Sequence, residues 1–295
     1  MSPVNVPAFA YLQATTLEEA CDLLAEHRSE GKVLAGGTDI LVKMKHRREL
    51  PSYLVNIKGI PGLDYIEYEP GEGLRVGPLT TIESLKRSAI VRKRYAVLHQ
   101  AAAYMATVAI RNRATLAGNI CNGSPSAETA PALIVSGAKV RIIGPDGERI
   151  VAVEDFFTGP GGTVLEPDEI AAEIQVPEPQ AGSAGVYEKH SLRRMDVAMV
   201  GVAVLVVPDV DVCGEIKIAL SAVAPTPLRA RKAEHVLRGL APTKSLVAAA
   251  ARAAAEESRP ITDIRGSSDS RRKIVEELTA QVIRQALGAA KVGLR

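Results

Sequence analysis

The sequence predicts an α+β protein of more than one compact unit. Strand and helix signals alternate in its first part, mix in its middle, and run as strands followed by helices at its end. A stretch rich in turn-forming residues, Glu178-Pro179-Gln180-Ala181-Gly182-Ser183, sets off that last part. At 295 residues the chain exceeds one small core. The expected units are 1–57, 58–177 and 178–295.

In the first unit Thr16-Leu17-Glu18-Glu19 is a capping box, and Ala20, Leu23 and Leu24 follow on one helical face. Lys32 to Ala35 reads as a short buried strand, Asp39 to Lys45 as a helix, and Leu54 to Ile57 as a strand after Pro51. In the second unit, strands over Leu63–Tyr68 and Leu74–Val76 join through Pro70-Gly71. Helices are expected near Ile82–Lys86 and over Ala96–Ala106. Asp146-Gly147 between Lys139–Ile143 and Arg149–Val153 signals a hairpin, and Glu169–Val176 is a further strand. The third unit offers strands at Gly185–Lys189, Val200–Val207 and Glu215–Val223, a three-stranded antiparallel sheet. Helices over Ala230–Arg238, Lys244–Glu257 and Arg271–Leu287 complete it.

Composition narrows the function. The 36 basic and 34 acidic side chains nearly cancel, and aromatic residues are 3% of the chain with no Trp. Neither an electrostatic footprint for nucleic acid nor a base-stacking platform is expected. The longest apolar run, Val197 to Val207, is 11 residues, against the roughly 20 of a membrane-spanning helix. Met1 to Pro7 shows no basic region followed by an apolar stretch, so no signal peptide is expected. Cys21, Cys121 and Cys213 form no CxxC pair and cannot supply the four thiolates of an iron–sulfur cluster. A cytoplasmic location is expected.

Two small-residue turns carry the candidate chemistry. Ala35-Gly36-Gly37-Thr38-Asp39 lies between a strand and a helix, and Thr115-Leu116-Ala117-Gly118-Asn119 is its partner far downstream. Glycine lets backbone N–H groups approach an oxyanion closely, so two such turns suit a ligand with two phosphates. No Walker A pattern and no Gly-x-Gly-x-x-Gly fingerprint accompanies them. Thr115, Asn119, Asn122 and Ser124 all offer donors to phosphate or ribityl oxygens. Gly159-Pro160-Gly161-Gly162-Thr163 reads as a surface turn, because Pro160 lacks an N–H. Lys189 and His190, adjacent on a strand, point to opposite faces, and Arg193 and Arg194 read as surface or interface residues.

Ala-Gly-Gly-Thr-Asp, then Ile110-Arg111-Asn112-Arg113-Ala114-Thr115 with Gly118-Asn119, then Ser124-Pro125-Ser126-Ala127-Glu128, resembles the flavoprotein subunit of molybdenum hydroxylases. That family includes xanthine dehydrogenases, aerobic carbon monoxide dehydrogenases and dehydrogenases of nitrogen heterocycles. The likeness continues through Asp155-Phe156-Phe157, Tyr187-Glu188-Lys189-His190, Arg193-Arg194-Met195-Asp196 and Ser270-Arg271-Arg272-Lys273. It implies an FAD-binding domain of the vanillyl-alcohol oxidase type, built of two α/β subdomains, with a small α+β domain behind it.

By that resemblance Val33, Leu34, Ala35, Gly36, Gly37, Thr38, Asp39 and Ile40 wrap the adenosine and pyrophosphate of FAD. Thr115, Ala117, Gly118 and Asn119 hold the pyrophosphate from the other side, and Glu128 binds cofactor hydroxyls. Met105 and Ala171 match positions beside the flavin ring, and Lys189 matches a lysine near it. Ala117 stands where the family often has glycine, and Glu128 where aspartate is usual. A cation at 189 would stabilise negative charge on reduced flavin and raise its potential.

The implied role is electron transfer as one subunit of an oxidoreductase. Substrate is oxidised at molybdopterin on a large partner subunit, and [2Fe–2S] clusters on a small one carry electrons to FAD. NAD, quinone or another acceptor takes them onward, in an expected dimer of heterotrimers. Two alternatives remain at this point: a self-sufficient FAD oxidase or dehydrogenase acting on an organic substrate, and a flavin-free scaffold.

Overall fold

The computed structural model describes residues 6–294. Met1 to Asn5, within the stretch read for a signal peptide, lie outside the described residues. The first unit runs β1 (Ala10–Gln13), α1 (Leu17–His27), β2 (Gly31–Leu34), α2 (Ile40–Lys45) and β3 (Tyr53–Asn56). Its strands form a parallel sheet in the order β1-β3-β2. Thr16 caps α1, its Oγ1 accepting from the Glu19 N–H at 3.1 Å. The reciprocal half of the capping box shifts by one residue, because the Glu19 carboxylate accepts from the Thr15 N–H at 2.7 Å. Ala20, Cys21 and Leu24 pack on Val55 and Ile57, while Leu23 is only half-buried.

The second unit contributes β4 (Ile66–Glu69), β5 (Gly73–Val76), β6 (Lys139–Gly144), β7 (Gly147–Ala152) and, after a small hairpin of β8 (Phe157–Gly159) and β9 (Gly162–Thr163), β10 (Ile170–Pro177). The five longer strands make an antiparallel sheet in the order β4-β5-β10-β6-β7. Between β5 and β6 lie six helices: α3 (Ile82–Arg87), α4 (Ala89–Arg94), α5 (Ala96–Tyr104), α6 (Val108–Arg111), α7 (Leu116–Cys121) and α8 (Thr129–Val135). The alanine-rich helix expected to reach Ala106 stops at Tyr104, because Met105 is extended and Ala106 turns to φ +43°. The helices α4, α6 and α7 have four to six residues each, too few turns for a hydrophobic period to show.

The third unit is β11 (Ala184–His190), β12 (Val200–Asp209), β13 (Val212–Ser221), β14 (Leu228–Arg229), α9 (Arg231–Leu237), α10 (Lys244–Glu257) and α11 (Ser268–Ala289). The expected three-stranded sheet is corrected to four strands in the order β11-β12-β13-β14. The added strand has two residues, paired as Ala219 with Arg229 and Leu220 with Leu228. It follows Pro225 and Pro227 and is too short to show any alternation.

Both faces of this sheet are covered. Val202, Val204, Val206, Ile216, Ile218 and Leu220 pack with residues of α9, α10 and α11. Tyr187, Ala203 and Ala219 face the other way, into a core shared with α5 and α8. Double burial explains the uninterrupted apolar run of β12, which would otherwise alternate. The apolar core therefore continues across the Glu178–Ser183 connection. No helix among the described residues is long and apolar enough to cross a membrane.

Candidate functional site

The carboxyl end of β2 leads into Ala35-Gly36-Gly37-Thr38-Asp39 before α2 begins at Ile40. Loops at this end of a parallel sheet commonly face ligands. No acceptor among the described residues takes the N–H groups of Gly36, Gly37, Thr38 or Asp39. The two glycines serve different needs. Gly37 has φ +77°, a conformation that disfavours side chains. Gly36 faces protein: a Cβ there would lie 2.0 Å from the Arg113 carbonyl oxygen and 3.1 Å from Ala114 Cα. Glycine at 36 is thus what lets the first loop close on the backbone that leads into the second.

Thr115 to Asn119, expected as a turn, is the start of α7. Ala114 O accepts from the Ile82 N–H at 2.9 Å, and the Leu116 N–H donates to Thr80 O at 3.1 Å, which fix the segment on both sides of Thr115. Thr115 is the N-cap, its Oγ1 accepting from the Gly118 N–H at 3.0 Å. A Cβ at Gly118 would lie 2.9 Å from that oxygen, so glycine keeps the cap intact. Asn119 Oδ1 accepts from the Thr129 hydroxyl at 2.6 Å, which leaves the Asn119 amide nitrogen free to donate elsewhere.

These segments line one cleft of about 500 Å³, within the range of small-molecule sites. Of the residues expected at the site, Val33, Ala35 to Ile40, Met105, Thr115, Ala117, Gly118, Asn119 and Ala171 all line it. Leu34, Glu128 and Lys189 do not. Leu34 alternates away from the cleft, into a small core with Met44 and Leu54. Glu128 and Lys189 form a buried ion pair with each other. Lys189 Nζ also donates to Asp196 O at 2.8 Å, and its side chain is only 1% exposed. His190 is exposed, as strand alternation requires. Burial pushes the Glu128 carboxyl up to about 7 against the opposing pull of Lys189. The pair adjoins the cleft wall through Thr129, the neighbour of Glu128 and the partner of Asn119.

Further residues line the cleft beyond those expected there. Gly161, Gly162 and Thr163, expected in a surface turn, form part of the cleft wall. The Gly161 N–H donates to Gly123 O at 2.8 Å, so the hairpin is tied to the end of α7 although Pro160 has no N–H of its own. Its glycine content was the available signal. At another part of the wall Glu49 pairs with Lys32 at 3.4 Å and Lys43 at 3.2 Å. Nothing in their spacing marks these three residues as neighbours. Burial raises the Asp39 carboxyl above its ordinary range, and Lys43 opposes that shift.

Residues 7–179 match the family described as the FAD binding domain in molybdopterin dehydrogenase. The chain belongs to this family. Residues 185–286 match the CO dehydrogenase flavoprotein C-terminal domain. The carbon monoxide dehydrogenase medium chain of Hydrogenophaga pseudoflava is 36% identical over 284 residues, 96% of this chain and 97% of that one. The xanthine dehydrogenase FAD-binding subunit of Escherichia coli O157:H7 is 32% identical over 283 residues, 95% of this chain and 97% of that one. A solved carbon monoxide dehydrogenase from Hydrogenophaga pseudoflava, lacking the Mo-pyranopterin moiety of its cofactor, superposes with a TM-score of 0.94 at 36% identity, covering 97% of this chain and 99% of its counterpart. The chain is accordingly an FAD-binding subunit of an oxidoreductase of the xanthine and carbon monoxide dehydrogenase family.

Proposed function

We propose that this chain binds FAD in the cleft between the Ala35–Ile40 loop and α7, and passes electrons between a partner's [2Fe–2S] clusters and NAD, quinone or another acceptor. The observation that carries this is the contact of Gly36 with Arg113 and Ala114. It places free backbone donors of the first loop and the polar start of α7 on one cleft. Such a donor set fits a pyrophosphate: N–H groups of Gly36 to Asp39, the Ala117 backbone and the Asn119 amide. Asp39 is the acceptor suited to ribose hydroxyls, and Met105 and Ala171 give apolar wall for an aromatic ring.

Bound FAD supplies the redox chemistry, exchanging electrons singly or in pairs. The protein's part is to bind, to orient and to keep water from the ring through Met105, Ala171 and the Gly161–Thr163 hairpin. Leu34 backs the first loop from the core. Glu128 and Lys189 act from behind the wall, fixing Asn119 through Thr129 and placing charge near the cofactor. The division into 1–57, 58–177 and 178–295 assigns cofactor binding to the first two units and support of α5 and α8 to the third.

Partners in this proposal are a molybdopterin-binding large subunit and a [2Fe–2S] small subunit, assembled as a dimer of heterotrimers in the cytoplasm. The test is affinity purification with metal analysis, followed by anaerobic reduction of the separated chain. The expected result is molybdenum and iron travelling with the complex, and a separated flavoprotein that organic substrates fail to bleach. Direct bleaching by an organic substrate would overturn the subunit role.

A further inference from the structure

We infer that Arg111 is a positioning residue, which holds Met105 in the wall of the FAD cleft by clamping a strained turn. The inference rests on the proposed FAD cleft. The turn follows α5: Met105 is extended, and Ala106 sits at φ +43° without being glycine. Non-glycine residues held in that region persist where surrounding contacts impose them, often beside functional sites. The imposing contacts here converge on one guanidinium. Arg111 Nη1 donates to Met105 O and to Ala106 O, each at 2.9 Å. No backbone N–H among the described residues donates to either carbonyl.

Arg111 is itself fixed. It is buried, and its Nε donates to Glu83 Oε2 at 2.7 Å. That bond holds the Glu83 carboxyl below its usual range although burial opposes it. The planar fork of arginine serves carboxylate and carbonyls together, which the single ammonium of lysine does not reproduce. At the other end of the turn Tyr104 Oη donates to Glu188 Oε2 at 2.8 Å, tying the segment to β11. Met105, between these anchors, lines the cleft. The buried pair thus has a use beyond filling the core: it determines where the Met105 side chain meets the cofactor.

The test uses the full chain reconstituted with FAD, and compares Arg111→Lys, Ala106→Gly and the double variant. Three quantities are read: the FAD dissociation constant by flavin fluorescence, the shape of the bound flavin's visible spectrum, and the melting temperature without FAD. Arg111→Lys is expected to weaken FAD binding roughly tenfold and to alter the spectrum, because the wall is displaced. Ala106→Gly in the same chain is expected to recover at least half of that loss on a logarithmic scale, since glycine adopts this φ without strain. A purely structural role would lower the melting temperature and leave the dissociation constant and spectrum of the folded chain unchanged, which overturns the inference. So does a double variant no better than Arg111→Lys. If Arg111→Lys does not fold, Glu83→Gln carries the same comparison, with a smaller loss and the same glycine rescue expected. A parent chain that takes up no FAD would instead overturn the cleft assignment.

Discussion

Gly36→Ala tests the joint on which the cleft depends. The added Cβ would lie 2.0 Å from the Arg113 carbonyl oxygen and 2.9 Å from its carbon, both backbone atoms that cannot swing aside. An ordinary carbon–oxygen contact needs about 3.3 Å, so the loops must part by more than about 1 Å. Forcing one extra methyl into a packed site costs about 1–3 kcal/mol. Expressed as lost ligand affinity, that corresponds to roughly a fivefold to 150-fold weaker FAD complex. Fluorescence titration of the folded variant with FAD gives the affinity, and a melting curve without FAD gives the stability. Gly288→Ala is the control: near the end of α11, its Cβ would meet nothing within 4 Å. It should leave FAD binding alone and raise stability by about 0.5–1 kcal/mol. A folded Gly36→Ala chain that binds FAD as tightly as the parent would refute the view that backbone contact at Gly36 builds the site.

Three more outcomes follow from the same geometry. Gly37→Asp should abolish FAD retention, through strain at φ +77° and through a carboxylate opposing the pyrophosphate; normal flavin content in the folded variant is the contrary result. Lys189→Ala should lower the flavin midpoint potential while FAD stays bound, and should cost up to about 3 kcal/mol of stability by leaving Glu128 buried without its cation. Spectroelectrochemical titration and thermal melting check the two parts, and an unmoved potential would remove Lys189 from the electrostatics of the site. The Glu128 carboxyl, at about 7 when folded against an ordinary 4.5, keeps a proton that the unfolded chain releases. Its contribution to stability therefore falls as pH rises through that interval and levels off above it. Glu128→Gln should flatten this slope, and identical pH profiles for variant and parent would count against it.

Periodicity and turn chemistry made most of the architecture legible. The Thr16 cap, the Asp146-Gly147 hairpin and the apolar strand around Val200–Val207 all appear where local signals put them. Legibility failed where elements were shorter than their own period, as in α4, α6, α7 and β14. At the cleft, motif order placed the two loops together. The structure separates Leu34, Glu128 and Lys189 from the lining, because a strand alternates faces and because two opposite charges in one apolar setting pair with each other. The surface turn read at Gly159–Thr163 is present, with Pro160 and Gly161 exposed, and only the Gly123 contact carries it into the cleft wall, which no local pattern records.

By itself the sequence determined the class of fold, the family, the cofactor and the two segments that line the cleft. All of these are written in local patterns and in the order of motifs along the chain. Tertiary structure alone decided what each residue does there. Gly36 is required by a backbone 77 positions away in number but in contact in space, and Arg111 acts through two carbonyls and a carboxylate from α3. Such roles depend on distances between segments that meet only when the chain folds, and no local pattern records them.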